Sequence, residues 1–226
     1  MRILFVRHGH PNYEIDRLTE LGHLQAKAAA DRLSEETISA IYASTCGRAY
    51  ETAEYIAAPR GMEITAYDFM REITWGSIDD QPLELNGHPW AVADKLIEQG
   101  IDIRIEDWMH HDLFKRNILV SSVQNVIDGF DQWLKDLGYE RDGLYYRVNK
   151  KRDDTIAMVS HGGSSSAVIS HLFNQSFLYF CGTVHPDFTS ISVINFDGEE
   201  GSLITPRMEI LNDYRHIKGV SLPENK

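Results

Sequence analysis

The chain divides into short apolar runs and longer amphipathic ones. Residues 2–6, RILFV, read as a buried strand, which ends in Arg7, His8 and Gly9 and gives way to a polar loop, HGHPNYEIDR. Residues 18–33, LTELGHLQAKAAADRL, read as a helix capped by Thr19, with Leu21, Leu24, Ala28 and Leu33 near one face. A short strand follows at 39–44, then a helix at 47–58 stopped by Pro59 and Gly61, then a strand at 62–67. This strand–helix alternation is that of an α/β sheet with helices on its faces.

Residues 73–121 break the rhythm. They hold Trp75, Pro82, Gly87, Pro89, Trp90, Trp108 and the pair His110 and His111, and they read as an inserted lid with one or two helices, residues 90–99 foremost. A strong amphipathic helix comes next, with Val123, Val126, Ile127, Phe130, Trp133, Leu134 and Leu137 at helical spacing; Trp133 reads as core. Residues 153–160 predict a central strand and 164–173 a helix. Residues 190–197 and 202–211 read as a closing hairpin around Asp197 and Gly198.

Length and composition narrow the class. The chain has 226 residues, 42% hydrophobic and 25% charged, enough for a sizeable core and unlike a disordered chain. A formal net charge of -12 argues against nucleic-acid binding, which needs a basic face. An acidic protein that binds an anion must gather its cations in one pocket. Cys46 and Cys181 lack metal-ligand spacing and read as free thiols in a reducing compartment. No apolar run approaches the ~20 residues of a membrane span, and Ile3 to Val6 is too short for a signal segment. The expectation is a cytoplasmic protein with no membrane or nucleic-acid partner; nothing in the pattern selects an oligomeric state.

Two places share one grammar. The first strand runs into Arg7-His8-Gly9, and the strand of residues 155–159 runs into Ser160-His161-Gly162-Gly163 and then a helix. Ligands of open α/β sheets bind at that carboxyl end of the strands. If the two strands are neighbours, His8 and His161 meet over one pocket. Gly162 and Gly163 open a helix whose N–H groups suit an anion. Arg48 follows the second strand near the same rim. Two arginines, two histidines and a helix N-terminus suit a tetrahedral dianion. A neutral histidine nitrogen can attack phosphorus if its other nitrogen is held by a fixed acceptor. Glu72, just past the third strand, can protonate a leaving alkoxide if its pKa is raised, with Asp68, Asp79 and Asp80 as competitors.

Arg-His-Gly after the first strand, LTELGHLQA, AS…GRAYETA, a glutamate before TWG, and a late VSHGG resemble, in order from residue 2 to about 172, the histidine phosphatase superfamily, the phosphoglycerate-mutase-like fold in its small cytoplasmic branch. The resemblance implies a three-layer α/β sandwich with a mostly parallel sheet, one domain over residues 1–226 with the 73–121 lid inserted. It makes His8 the phosphohistidine nucleophile, Arg7, Arg48 and His161 the rest of the phosphate pocket, Gly162 N–H a further phosphate contact and Glu72 the proton donor. It implies a small phosphorylated substrate and no metal or cofactor.

Two departures from the mutases favour hydrolysis. Their asparagine six positions after the nucleophile is here Glu14, with Asn12 the stand-in, and the loop before the Leu-Thr helix start is short, HPNYEIDR. A carboxylate there repels an acidic sugar-acid phosphate. The secreted acid-phosphatase branch extends Arg-His-Gly with arginine and proline and relies on disulfides; this chain does neither. The reading is therefore a metal-independent phosphomonoesterase. Its rivals are a mutase and a non-catalytic phospho-ligand module, with a nucleotide-binding domain last because neither GxGxxG nor GxxxxGK[ST] occurs. His10 and His185 read as loop residues. His110-His111-Asp112 does not read as a metal site, since adjacent side chains diverge.

Overall fold

The computed structural model describes residues 1–104 and 107–222. In chain order its strands are β1 (Arg2–Arg7), β2 (Pro11–Asn12), β3 (Arg17–Leu18), β4 (Ile38–Ser44), β5 (Ile64–Tyr67), β6 (Tyr139–Asp142), β7 (Tyr145–Val148), β8 (Thr155–Ser160), β9 (Ile191–Asn195), β10 (Leu203–Ile204) and β11 (Arg207–Asp213). Its helices are α1 (Glu20–Arg32), α2 (Gly47–Ala57), α3 (Pro89–Glu98), α4 (Leu119–Leu137), α5 (Gly162–Leu172) and α6 (Phe177–Thr183).

The main sheet runs β11-β9-β1-β8-β4-β5. Strands β1, β8, β4 and β5 are parallel, and β9 and β11 close one edge antiparallel. Sequence predicted this mostly parallel sheet, and a continuous apolar run is what a strand covered on both faces requires. Alternate residues of β1 serve two separate cores. Ile3 and Phe5 join the cluster built with α4, α5 and α6, whereas Leu4 and Val6 join the cluster that includes Ala30, Ala53 and Ile56 of α1 and α2. Three layers result. Trp133 is core, as expected, and meets Tyr42 edge to face with ring centroids 5.2 Å apart.

Three expectations need correction. The predicted face of α1 holds only in part: Leu33 is buried as expected and Leu21 and Ala28 are half-buried, but Leu24 is exposed, and within the helix the buried residues are Gly22, Gln25, Ala26, Ala29 and Ala30. Small residues win because α1 packs backbone to backbone against the loop after β1. A Cβ on Gly9 would lie 2.6 Å from the Gly22 carbonyl oxygen, and one on Gly22 would collide with the His10 carbonyl. Thr19 caps the helix as expected, accepting the Gly22 N–H at 3.1 Å. Secondly, the closing hairpin is split. β10 pairs with β7, while β11 pairs with β9. Pro206, with no N–H to offer a ladder, lies between them. Thirdly, the hairpin β6–β7 and helix α6 went unseen, because short segments rich in tyrosine and charge carry weak periodicity.

The expected 73–121 insertion runs into α4 at Leu119; before that its described residues contain one α-helix, α3, and short turns at Glu84–Gly87 and Trp108–His110. They are firmly seated: Ile73, Val92, Leu96, Trp108 and Phe114 belong to the same apolar cluster as α4 to α6. No helix among the described residues is long and apolar enough to cross a membrane.

The contact between Gly9 and Gly22 sets the position of everything after β1. Gly22→Ala should lower the unfolding free energy by about 1–3 kcal/mol, the usual range for overpacking. That loss comes despite the ~1 kcal/mol an alanine gains over glycine inside a helix. A urea titration measures it, and an unchanged midpoint would mean that α1 has room to move.

Candidate active site

Strands β1 and β8 lie side by side in register, Arg7 opposite Ser160. The next residue of each strand is a histidine, so the two rings meet above the sheet with centroids 5.1 Å apart. Sequence made this meeting conditional on neighbouring strands, and the condition holds. His8 is fixed from both sides: its N–H donates to Ser160 O at 2.9 Å, and its carbonyl accepts the Thr189 N–H at 3.2 Å.

The His8 ring is buried, and its Nδ1 lies 2.7 Å from Gly9 O. A carbonyl only accepts, so Nδ1 carries the hydrogen and Nε2 keeps its lone pair. Arg48 Nε approaches that Nε2 at 3.4 Å. Burial, helped by the positive charges of Arg7 and Arg48 against the Gly9 bond, pushes the His8 pKa down to about 3. The ring therefore stays neutral at pH 7. His161 is also buried and held well below the usual histidine range, first by burial and then by His8 and Arg48. Its Nε2 lies 2.8 Å from Ser44 Oγ, and its Nδ1 is buried without a partner among the described residues.

The two arginines are held differently. Arg48 is buried in the first turn of α2 and donates to Asp16, whose other carboxylate oxygen accepts the Gly47 N–H at 2.7 Å. Against the cost of burial, the Gly47 N–H and Arg48 hold the Asp16 carboxyl below its ordinary range. Arg7 donates to Pro186 O, and its guanidinium carbon sits 4.2 Å above the Phe188 ring. Its Nε is buried and unpaired among the described residues.

Glu72 sits at the start of α5. Its Oε1 accepts the Ile73 N–H at 3.0 Å and the Ser164 N–H at 3.1 Å. Gly163 makes room, for a Cβ there would lie 2.5 Å from that same oxygen. Burial pushes the Glu72 carboxyl above its usual range, against the pull of the Ile73 N–H and Arg7. The competing acids are committed elsewhere. Asp68 accepts from Thr45 Oγ1 at 2.6 Å, and Asp79 takes Arg116 through both oxygens at 2.8 Å.

A cavity of about 330 Å³ opens over these groups. Arg7, Glu72, Gly162 and Gly163 line it, together with Tyr13, Trp75, His88 and Trp90. His185, expected as a plain loop residue, lines it too. Asn12 does not: its Oδ1 accepts the Glu14 N–H at 3.1 Å inside the β2–β3 loop. His10 braces α1, with Nδ1 2.9 Å from Thr19 Oγ1. Trp108 packs on Phe114 and Phe177 away from the cavity. His110 pairs with Asp107, and among the described residues no group of three ligating side chains is placed to hold a metal.

Sequence reasoning missed Asp16, Ser44, His88 and Asn117. Each acts through a partner distant in the chain, so no local spacing marks it. Asn117 is the most connected: its Oδ1 accepts the Gly76 N–H at 3.0 Å and its Nδ2 donates to Gly87 O at 2.8 Å.

Neutral buried histidines tie stability to pH. An unfolded histidine takes a proton near pH 6.5, whereas folded His8 resists until about pH 3. Between those values the unfolded chain binds more protons, so stability rises with pH and falls on acidification, by roughly 1.4 kcal/mol per pH unit for one such group. Urea titrations at pH 7 and 4.5 should show a smaller loss for His8→Gln than for the wild type. Equal losses would mean that folded His8 titrates normally.

The comparisons with known proteins agree with this geometry. A family model described as histidine phosphatase superfamily (branch 1) matches residues 3–207. A protein of Hydrogenobacter thermophilus named "Putative phosphoserine phosphatase 2" is 23% identical over 90% of this chain and 93% of its own. A "Probable phosphoglycerate mutase" of Photorhabdus laumondii is 32% identical, over 37% of this chain and 43% of its own. Among solved structures, phosphoserine phosphatase of Entamoeba histolytica in complex with 3-phosphoglyceric acid aligns with a TM-score of 0.63 at 21% identity, over 96% of this chain and 98% of that one. Mycobacterial glucosyl-3-phosphoglycerate phosphatase with inorganic phosphate aligns with a TM-score of 0.64 at 23% identity, over 94% and 97%. With a family match spanning nearly the whole fold, and two strand-end histidines meeting where the motif order placed them, the chain belongs to the histidine phosphatase superfamily.

Proposed function

We propose that this protein hydrolyses phosphomonoesters through a phosphohistidine on His8, with no metal. One observation carries the reading. His8 Nε2 is a neutral lone pair in a buried site, beside Arg48, and two further buried nitrogens, Arg7 Nε and His161 Nδ1, lack partners there. A phosphoryl group gives all of them something to bind.

In the first step the His8 Nε2 lone pair attacks phosphorus. The ester P–O bond breaks, and the leaving oxygen takes the proton of Glu72. In the second step a water attacks phosphohistidine and gives its proton to Glu72. The P–N bond breaks and phosphate leaves. Charge on the phosphoryl oxygens is met by Arg7, Arg48, His161 and the Gly162 N–H, so catalysis is positioning and electrostatics. The N–H groups of a helix's first turn have no intrahelical partner, which suits Gly162 to that contact. The raised pKa of Glu72 keeps its proton available.

Hydrolysis ranks above mutase chemistry because Glu14 stands at the mutases' asparagine position and the loop before the helix start is short. The phosphatase-named relative also spans 90% of the chain, against 37% for the mutase-named one. The segment 73–121 is read as the lid that shapes the substrate end of a single domain. A cytoplasmic location fits two free, buried cysteines.

His8→Ala should abolish phosphate release from an alkyl phosphate, and EDTA should leave the wild type unaffected. Full activity in the variant, or loss to EDTA, would reject the mechanism. Glu72→Gln should lower kcat by roughly 10²–10⁴-fold. Because Glu72 must be protonated first, wild-type kcat should also fall as pH rises past its raised pKa, and this limb should vanish in the variant.

A further inference from the structure

Part of the cavity wall is aromatic and built with care. Trp75 is 37% exposed, and its ring meets His88 edge-on at 4.7 Å; His88 in turn lies 5.6 Å from Trp90. All three line the cavity. Two stretches of chain bring them together, 75–76 and 87–90, and Asn117 ties one to the other through its bonds to Gly76 N–H and Gly87 O. Gly87 must be glycine, with φ of +69° and a would-be Cβ running into Asn117 Nδ2. The preceding Leu85 and Asn86 also hold positive φ, of 50° and 54°. Two consecutive non-glycine residues in the left-handed region persist only where the surroundings hold them. This surface is therefore preformed.

Its chemistry is equally specific. His88 Nδ1 accepts the Ala91 N–H at 3.3 Å, and burial lowers the ring's pKa. The neutral ring thus carries its hydrogen on Nε2 and offers one donor. Among the described residues lining the cavity, Arg7 is the one guanidinium, and no lysine lines it. Arg48 is not among its lining residues; it is held against His8 and Asp16, with its guanidinium carbon 5.4 Å from the Tyr13 ring. A carboxylate on the leaving group would lose water there and find no arginine or lysine beside Trp75, His88 and Trp90 to replace it.

We infer that Trp75, His88 and Trp90 form the recognition wall for the leaving group, and that it selects monoesters of uncharged, ring-bearing alcohols over monoesters of carboxylate-bearing ones. Trp75 and Trp90 supply ring contact, and His88 Nε2–H meets a hydroxyl or carbonyl oxygen. Asn117 is a positioning residue that fixes the wall. This selectivity rests on the phosphatase reading above and concerns the same site.

The test compares kcat/KM for four alkyl esters of similar intrinsic reactivity: benzyl phosphate, glycerol 3-phosphate, O-phosphoserine and 3-phosphoglycerate. Benzyl phosphate should lead both carboxylate-bearing esters by roughly tenfold or more, the scale of one good aromatic contact plus an unpaired charge. The lead should lie mainly in KM. Trp75→Ala and Trp90→Ala should each shrink the benzyl-to-glycerol ratio several-fold, while Trp75→Phe and Trp90→Phe keep most of it. Asn117→Ala should raise KM for benzyl phosphate more than it lowers kcat. A preference for phosphoserine or 3-phosphoglycerate, or ratios untouched by the tryptophan variants, would overturn the inference and leave the phosphatase intact. No hydrolysis of any ester would overturn both.

Discussion

The in-register parallel pairing of β1 with β8 is the constraint on which the site depends. Each strand is an apolar run that ends in a histidine, and the ladder brings both ends to one level. A slip of one residue would turn every side chain of β1 to the opposite face. Ile3 and Phe5 would then trade cores with Leu4 and Val6, so the two apolar clusters lock the register that the chemistry uses. Packing energy and site geometry are one commitment here.

The second theme is how an acidic chain keeps positive charge and neutral histidines together. Net charge is -12, yet Arg7 and Arg48 flank the same ring. Burial and the arginines deny His8 a proton, which preserves its lone pair. The arginines themselves are steadied by groups that cost the pocket little: Asp16 and the Gly47 N–H around Arg48, and the Phe188 ring beneath Arg7. Glu72 carries the opposite tension. Two backbone N–H groups hold its carboxyl in place and favour its charged form, while burial raises its pKa above the usual range.

Much of this was legible in one dimension. Strand-end residues His8 and His161, the glycines that open α5, and Arg48 at the head of α2 are marked by position within their own elements. The face of α1 was legible only in part, because Gly22 and its alanines are chosen for backbone contact and carry no hydrophobic signal. The turn made by Asn12 is local instead: its Oδ1 takes the Glu14 N–H two residues on. The wall at 75–90 was visible only as scattered tryptophans and a histidine, since its order comes from Asn117, more than twenty residues further along.

The sequence by itself determined the mostly parallel α/β plan and the chemical types at the phosphate end, because local periodicity and strand-end grammar are short-range properties of the chain. Tertiary structure decided which nitrogen of His8 is free, where Glu72 is held, and which rings line the cavity. Those depend on burial and on partners from distant segments, such as Arg48 on His8, Ser164 on Glu72 and Asn117 on Gly87. Desolvation and through-space hydrogen bonds are set only when the layers close, and no local pattern along the chain encodes them.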